Sequence, residues 1–218
     1  MQDPIKLLSM LSKQAAAPAA EVPATVAVQT SPPEVTEAPA APAGGRDPAP
    51  ERPQAQSKVI SDDLLTMLSQ QVGNESYACY DYYGAAGWFK LKGLDGFAKW
   101  CESQAAGEIA HARKVYDHII LAGSPAALPA ITQARPAYDS IQSACEAILA
   151  REMAVTADWR AICKQALKDA DGASLGLATW FLTEQLEEEN AAATLLDRVR
   201  MAGGEGPGIL VIDADLKG

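Results

Sequence analysis

The chain has 218 residues, a net charge of −10, four cysteines and ten of its fourteen prolines before residue 58. That charge excludes a nucleic-acid role and suits a protein that attracts cations. The absence of any 18-residue apolar run excludes a membrane span, and the absence of any C-x-x-C pair disfavours a zinc knuckle or disulfide frame, which points to a reducing compartment such as the cytoplasm.

Residues 1–57 carry thirteen alanines and no aromatic residue. Such a Pro/Ala-rich extension lacks the apolar surface needed to offset chain entropy, so it is expected to be disordered. Its first segment, Ile5-Lys6-Leu7-Leu8-Ser9-Met10-Leu11, is compatible with a frayed end, a docking peptide for a partner or shell, or a targeting peptide. Ser9, Ser12 and Lys13 interrupt a secretory apolar core, and Asp3, Glu21, Glu34, Glu37 and Asp47 oppose an organelle transit peptide. From residue 58 onward the sequence turns to long helical periods and holds every aromatic residue.

The first helix is expected from Ser61, an N-cap followed by Asp62 and Asp63, to Leu91, with Gly93 ending it. Asp95 is placed as the cap of a second helix reaching Leu121. Gly123, Pro125, Pro129 and Pro136 break the pattern. A third helix is expected from about Tyr138 to Leu167, and a fourth from the Gly172 turn to Met201, closed by Gly203-Gly204 and Pro207. The two tight turns make two antiparallel hairpins. The fifteen residues between them extend to roughly 50 Å, and a 27-residue helix is about 40 Å long. The middle connection therefore crosses the whole bundle. The predicted fold is all-α: a four-helix up-down-down-up bundle with one long crossover between helices two and three. Ile209-Leu210-Val211-Ile212-Asp213 is apolar and is read as a short strand or as a stub packed on its own bundle or on a neighbour.

Each helix carries polar groups where its core stripe calls for apolar ones. The stripes run Leu68, Val72, Glu75, Cys79, Tyr82; then Cys101, Gln104, Glu108, His111, Val115; then Ile148, Glu152, Val155, Trp159; then Leu182, Gln185, Glu188, Ala192. One buried unpaired carboxylate costs several kcal/mol, roughly. Four of them, at mid-stripe on four helices, call for a counter-charge, and a metal cluster supplies it. Glu108 and His111 share a face, three residues apart. Glu75 precedes Glu108 by 33 residues, and Glu152 precedes Gln185 by 33, so both hairpins bring their pair to similar depth. Carboxylates with one imidazole suit iron or manganese, and a bridging carboxylate such as Glu108 favours two metals over one. His118 lacks an acid partner at matching spacing and is read as structural. Cys79, Cys101 and Cys145 are read as small core residues, with a redox role as the alternative.

Residues 60–218 resemble the bacterial non-haem ferritins through Asn74-Glu75-Ser76-Tyr77, Glu108-Ile109-Ala110-His111, Arg151-Glu152-Met153 and Thr183-Glu184-Gln185-Leu186-Glu187-Glu188-Glu189. The resemblance implies an iron-storage ferroxidase that oxidises Fe2+ with O2 or H2O2 at a di-iron centre, in a shell of 24 identical subunits. It implies two irons per subunit: the first on Glu75, Glu108 and His111, the second on Glu108, Glu152 and Glu188, with Gln185 adjacent. Tyr82 matches the family tyrosine beside the site and Trp180 an aromatic near its centre. The family's third iron site uses an acid where this chain has Gly107, while Glu184 and Glu187 remain as candidate ligands or as surface acids that collect iron. Gln185-Leu186-Glu187-Glu188 and Ile109 replace the second E-x-x-H and the methionine of bacterioferritins, so no haem is expected. Two other functions fit the same residues: an oxidant-removing di-iron oxidase with little storage, and a cargo subunit docked to another shell by its N-terminal peptide.

Overall fold

The computed structural model describes residues 60–217; the predicted extension 1–57 lies outside the described residues. Five helices follow one another: α1 (Asp62–Leu91), α2 (Asp95–Leu121), α3 (Ile141–Lys168), α4 (Gly172–Met201) and α5 (Pro207–Leu216). Ser61 caps α1 as expected, its side chain accepting from the Leu64 N–H at 3.2 Å. Gly93 and Gly203 close α1 and α4 in the left-handed region, with φ of +76° and +81°. Helix α3 begins three residues later than expected. Ser140 caps it in a capping box with Ser143, and Tyr138 instead packs edge-on against Trp88.

Cross-helix contacts define the topology. Asn74 meets Asp158, Glu75 meets Trp159, and Asp81 meets Arg151, so α1 and α3 are antiparallel. His111 faces Glu188 and His118 faces Ser174, which makes α2 and α4 antiparallel as well. With a tight turn inside each hairpin, the order is up-down-down-up. The crossover runs along the outside of α1. Here two glycines make room for it: a Cβ on Gly73 would lie 2.3 Å from Pro129 Cγ, and one on Gly84 would lie 2.8 Å from the Arg135 carbonyl oxygen.

One expectation is corrected at the end of the bundle, and of the readings left open for Ile209–Asp213 the structure gives the stub packed on its own bundle. Asp95 is the first residue of α2 and not its cap; Leu94 holds the cap position, and its apolar side chain has no acceptor to offer. The cap arrives from the far end of the chain, where Asp213 Oδ1 accepts from the Gly96 and Phe97 N–H groups at 2.7 and 3.1 Å. The segment Ile209–Asp213 is helical and forms no strand, because Pro207 at the first position of α5 presets the helix and Ile209 and Ile212 bury one face of it. Gly96 admits this contact, since a Cβ there would sit 1.8 Å from the Asp213 carbonyl oxygen. Asp213→Ala should therefore lower stability by about 1–3 kcal/mol through two orphaned buried N–H groups, read as an earlier thermal transition. A wild-type melting curve for that variant would contradict the cap.

The core is in two parts. One contains Tyr82, Phe89, Phe97, Cys101, Cys145, Ile148 and Leu195. The other contains Leu64, Leu68, Val115, Ile119, Trp159 and Phe181. Glu75, Glu108, His111, Glu152 and Gln185 are buried on the helices that run through both, and Tyr82 in the first part and Trp159 in the second each reach one of these acids. His118 is structural as expected, at 2.9 Å from the Ser174 hydroxyl.

Candidate metal centre

The predicted carboxylates converge. Ligand atoms of Glu75, Glu108 and His111 lie within 4.8 Å of one another, and so do those of Glu108, Glu152 and Glu188. Glu108 belongs to both groups. Each helix of the bundle contributes: Glu75 from α1, Glu108 and His111 from α2, Glu152 from α3, and Glu188 from α4. His111 Nδ1 stands 3.5 Å from both Glu108 Oε2 and Glu188 Oε1. Its ring is wedged edge-on against Phe181 and Trp180, with centroids 5.4 and 5.8 Å away.

Neighbouring donors orient each outer carboxylate. Glu75 Oε1 accepts from Gln71 Nε2 at 2.8 Å and from the Trp159 indole N–H at 2.9 Å. Glu152 Oε1 accepts from the Tyr82 hydroxyl at 2.7 Å. The Gln185 amide donates to Glu188 Oε2 at 2.8 Å and lies 3.4 Å from Glu152 Oε2, tying the two together. A cavity of about 300 Å³, lined by Thr66, Gln70, Gln71, Asn74 and Asp158 among others, opens from the surface as far as Gln71.

Without a cation this cluster is electrostatically frustrated. Burial, reinforced by Glu108, pushes the Glu75 carboxyl up to about 8. Burial, reinforced by Glu152, does the same to Glu108. Glu188 is pushed up to about 7, again chiefly by burial, with His111 pulling the other way. Tyr82 is raised well above its ordinary value by burial and by the Glu152 charge, so its hydroxyl keeps its proton and donates. Hard oxygen donors, one imidazole and four acids in low dielectric fit a pair of divalent cations such as Fe2+.

Other candidates stand apart. Glu184 is half-buried and Glu187 exposed, and neither belongs to the two ligand groups. Trp180, by contrast, packs edge-on against His111; it is partly exposed and carries the Lys114 ammonium 3.7 Å over its ring. Cys79, Cys101 and Cys145 are buried free thiols in the core. Sequence periodicity missed Arg151 and Asp81, which form a buried ion pair at 2.8 Å beside Glu152. Each lies one residue off its helix's core stripe. The available signal was an acid and a base at the same depth on two helices, each preceding a site residue.

The family model for the Ferritin-like domain matches residues 65–202, and the chain belongs to that family. Within it, the chain is similar to the bacterial non-heme ferritins. It is 32% identical to one from Staphylococcus epidermidis over 147 residues, which is 67% of this chain and 89% of that protein. It is 27% identical over 158 residues to a probable bacterial non-heme ferritin-like protein of Haemophilus influenzae, covering 72% of this chain and 96% of that one. Among solved structures, the open pore ferritin of Archaeoglobus fulgidus superposes with a TM-score of 0.71 at 29% identity, covering 73% of this chain and 98% of that one.

Proposed function

We propose that the chain is an iron-storage ferritin subunit whose buried acids form a ferroxidase centre. The observation that carries this is the pair of ligand groups sharing Glu108. Two Fe2+ ions are the substrate. The first is held by Glu75, Glu108 and His111, the second by Glu108, Glu152 and Glu188, with Gln185 orienting the last two acids. Anionic oxygen ligands stabilise Fe3+ more than Fe2+, which lowers the cost of removing an electron from each ion. The overall step balances as two Fe2+, one O2 and two protons giving two Fe3+ and one H2O2; H2O2 can serve as oxidant in place of O2. The buried carboxyls of Glu75, Glu108 and Glu188 release their protons when the cations arrive. Tyr82 donates to Glu152 Oε1 and so holds that ligand in place.

Storage of hydrated ferric oxide needs a hollow shell, so the subunits assemble, and 24 copies is the expected number. The four cysteines are free thiols, which supports a reducing setting such as the cytoplasm. Ile109 stands where bacterioferritins carry their haem methionine, so no haem is proposed.

Anaerobic Fe2+ titration followed by exposure to air tests the proposal. The ferric absorbance should break near two irons per chain, about one per ligand group. His111→Ala should remove the first group's only nitrogen and the fast phase with it, with the far-ultraviolet helix signal unchanged. Fast oxidation with no stoichiometric break, or an unaffected His111→Ala protein, would rule out this centre. Long-term loading separates storage from mere oxidant removal: a shell that retains only the centre's own irons is an oxidase and no store.

A further inference from the structure

Arg151 is nine-tenths buried, and three groups hold it. Its Nη1 donates to Asp81 Oδ2 at 2.8 Å and to the Ala78 carbonyl at 3.3 Å. Its Nη2 reaches Glu152 Oε1 at 3.4 Å. The guanidinium carbon stands 4.1 Å from the centre of the Tyr82 ring. Asp81 is fixed in turn, accepting from the Arg135 N–H at 3.4 Å. The cation is held on two of its nitrogens: Nη1 is tied to Asp81 and Nη2 faces the metal ligand Glu152, while the buried Nε has no partner among the described residues.

Glu75 and Glu152 can be compared inside one site through their Oε1 atoms; Glu152 Oε2 in addition lies 3.4 Å from the neutral Gln185 amide. Each has Oε1 occupied by two donors. For Glu75 both donors, Gln71 and Trp159, are neutral. For Glu152 one is the neutral Tyr82 hydroxyl and the other is the Arg151 guanidinium. A fixed positive charge draws electron density from a carboxylate and repels an approaching divalent cation. Glu188 does not redress the balance alone, because its Oε2 is engaged by Gln185 and its Oε1 faces His111.

We propose that Arg151, locked by Asp81, is a positioning residue that weakens Glu152 as a cation ligand, so that the Glu108–Glu152–Glu188 seat fills after the Glu75–Glu108–His111 seat and empties before it. A labile second seat beside a firm first one lets oxidised iron pass onward while the centre stays half-formed for the next ion. The inference rests on the two-seat centre proposed above.

Calorimetric titration of the full-length protein with Zn2+, which cannot be oxidised, tests it. The wild type should bind in two steps, with Glu152→Gln abolishing the weaker and Glu75→Gln the tighter. The neutral double variant Asp81→Leu/Arg151→Met should tighten the second step by about tenfold, or about 1.4 kcal/mol, and narrow the gap between steps. Arg151→Lys keeps the charge and should keep the gap. Because the apolar pair changes shape, Asp81→Asn/Arg151→Gln repeats the question with near-isosteric side chains, and melting curves verify that each variant folds. Two equal steps in the wild type, or an unchanged gap in both neutral variants, would overturn the role of Arg151 and leave the centre standing. Failure of the wild type to bind Zn2+ or Fe2+ at all would instead remove the centre, and this inference with it.

Discussion

Glu108→Ala should abolish fast Fe2+ oxidation and reduce cation binding in both seats at once. The reason is geometric: Glu108 alone belongs to both ligand groups. Removing Glu75 takes one ligand from the first seat, and removing Glu152 takes one from the second. Removing Glu108 leaves each seat with two protein ligands and no bridge. Loss of an outer-sphere partner typically costs roughly 10–100-fold in metal affinity or activity, so loss of a shared ligand should exceed about 100-fold. Above about pH 8, where these carboxyls ionise, the same change should help the cation-free fold, since Glu108 is almost wholly buried and its carboxyl faces Glu75, Glu152 and Glu188. Relief of that repulsion offsets the small cavity left behind. The measurement pairs stopped-flow oxidation with thermal melts in chelator. Biphasic cation binding at wild-type strength in Glu108→Ala would sink the bridging role.

The second large effect is an inverted pH profile for the cation-free protein. Glu75 and Glu108 titrate near 8 and Glu188 near 7 in the folded state, against 4.5 for an ordinary glutamate. Between those limits the folded protein binds more protons than the unfolded chain. Stability must then fall as pH rises, at about 1.4 kcal/mol per pH unit for each retained proton. The stabilising contribution is complete below about 4.5 and lost as pH passes through 7 to 8. Two to three retained protons over two pH units amount to about 5–8 kcal/mol, and a domain of this size loses roughly 2–4 °C per kcal/mol, so the melting temperature in chelator should drop by roughly 10–30 °C from pH 5.5 to pH 7.5. Saturating Zn2+ should abolish the trend, because the cation takes the place of the protons and binds more tightly as pH rises. A chelated protein with flat or rising stability over that range would show that these carboxyls are ionised without a cation.

Much of the bundle was legible because helices announce themselves by period, and the tight and long connections then leave few topologies. The acids of the centre were legible for the same reason: Glu75, Glu108, Glu152 and Glu188 interrupt stripes that are otherwise apolar. What escaped were interactions that no local pattern encodes. Arg151 and Asp81 are 70 residues apart and meet only because α1 and α3 pack antiparallel. Gln71 and Trp159 look like ordinary helix residues until their donors are found on Glu75. Asp95 looked like a cap by position and composition, yet the helix begins on it, and a side chain 117 residues from Gly96 supplies the missing acceptor. The apolar run at Ile209–Asp213 was ambiguous because ten residues hold too few turns to separate a helix from a strand.

The cap from Asp213 has a bearing on how the chain matures. Proteins are made from the N-terminus onward, and the first turn of α2 leaves the ribosome more than a hundred residues before the group that satisfies it. Until the segment carrying Asp213 is released, the corner where α1 turns into α2 is held by packing and its own turn hydrogen bonds, with the Gly96 and Phe97 N–H groups uncapped. Nascent chains stalled short of Asp213 should therefore remain more sensitive to protease at that corner than chains that include it, so this corner matures later than the helices it joins.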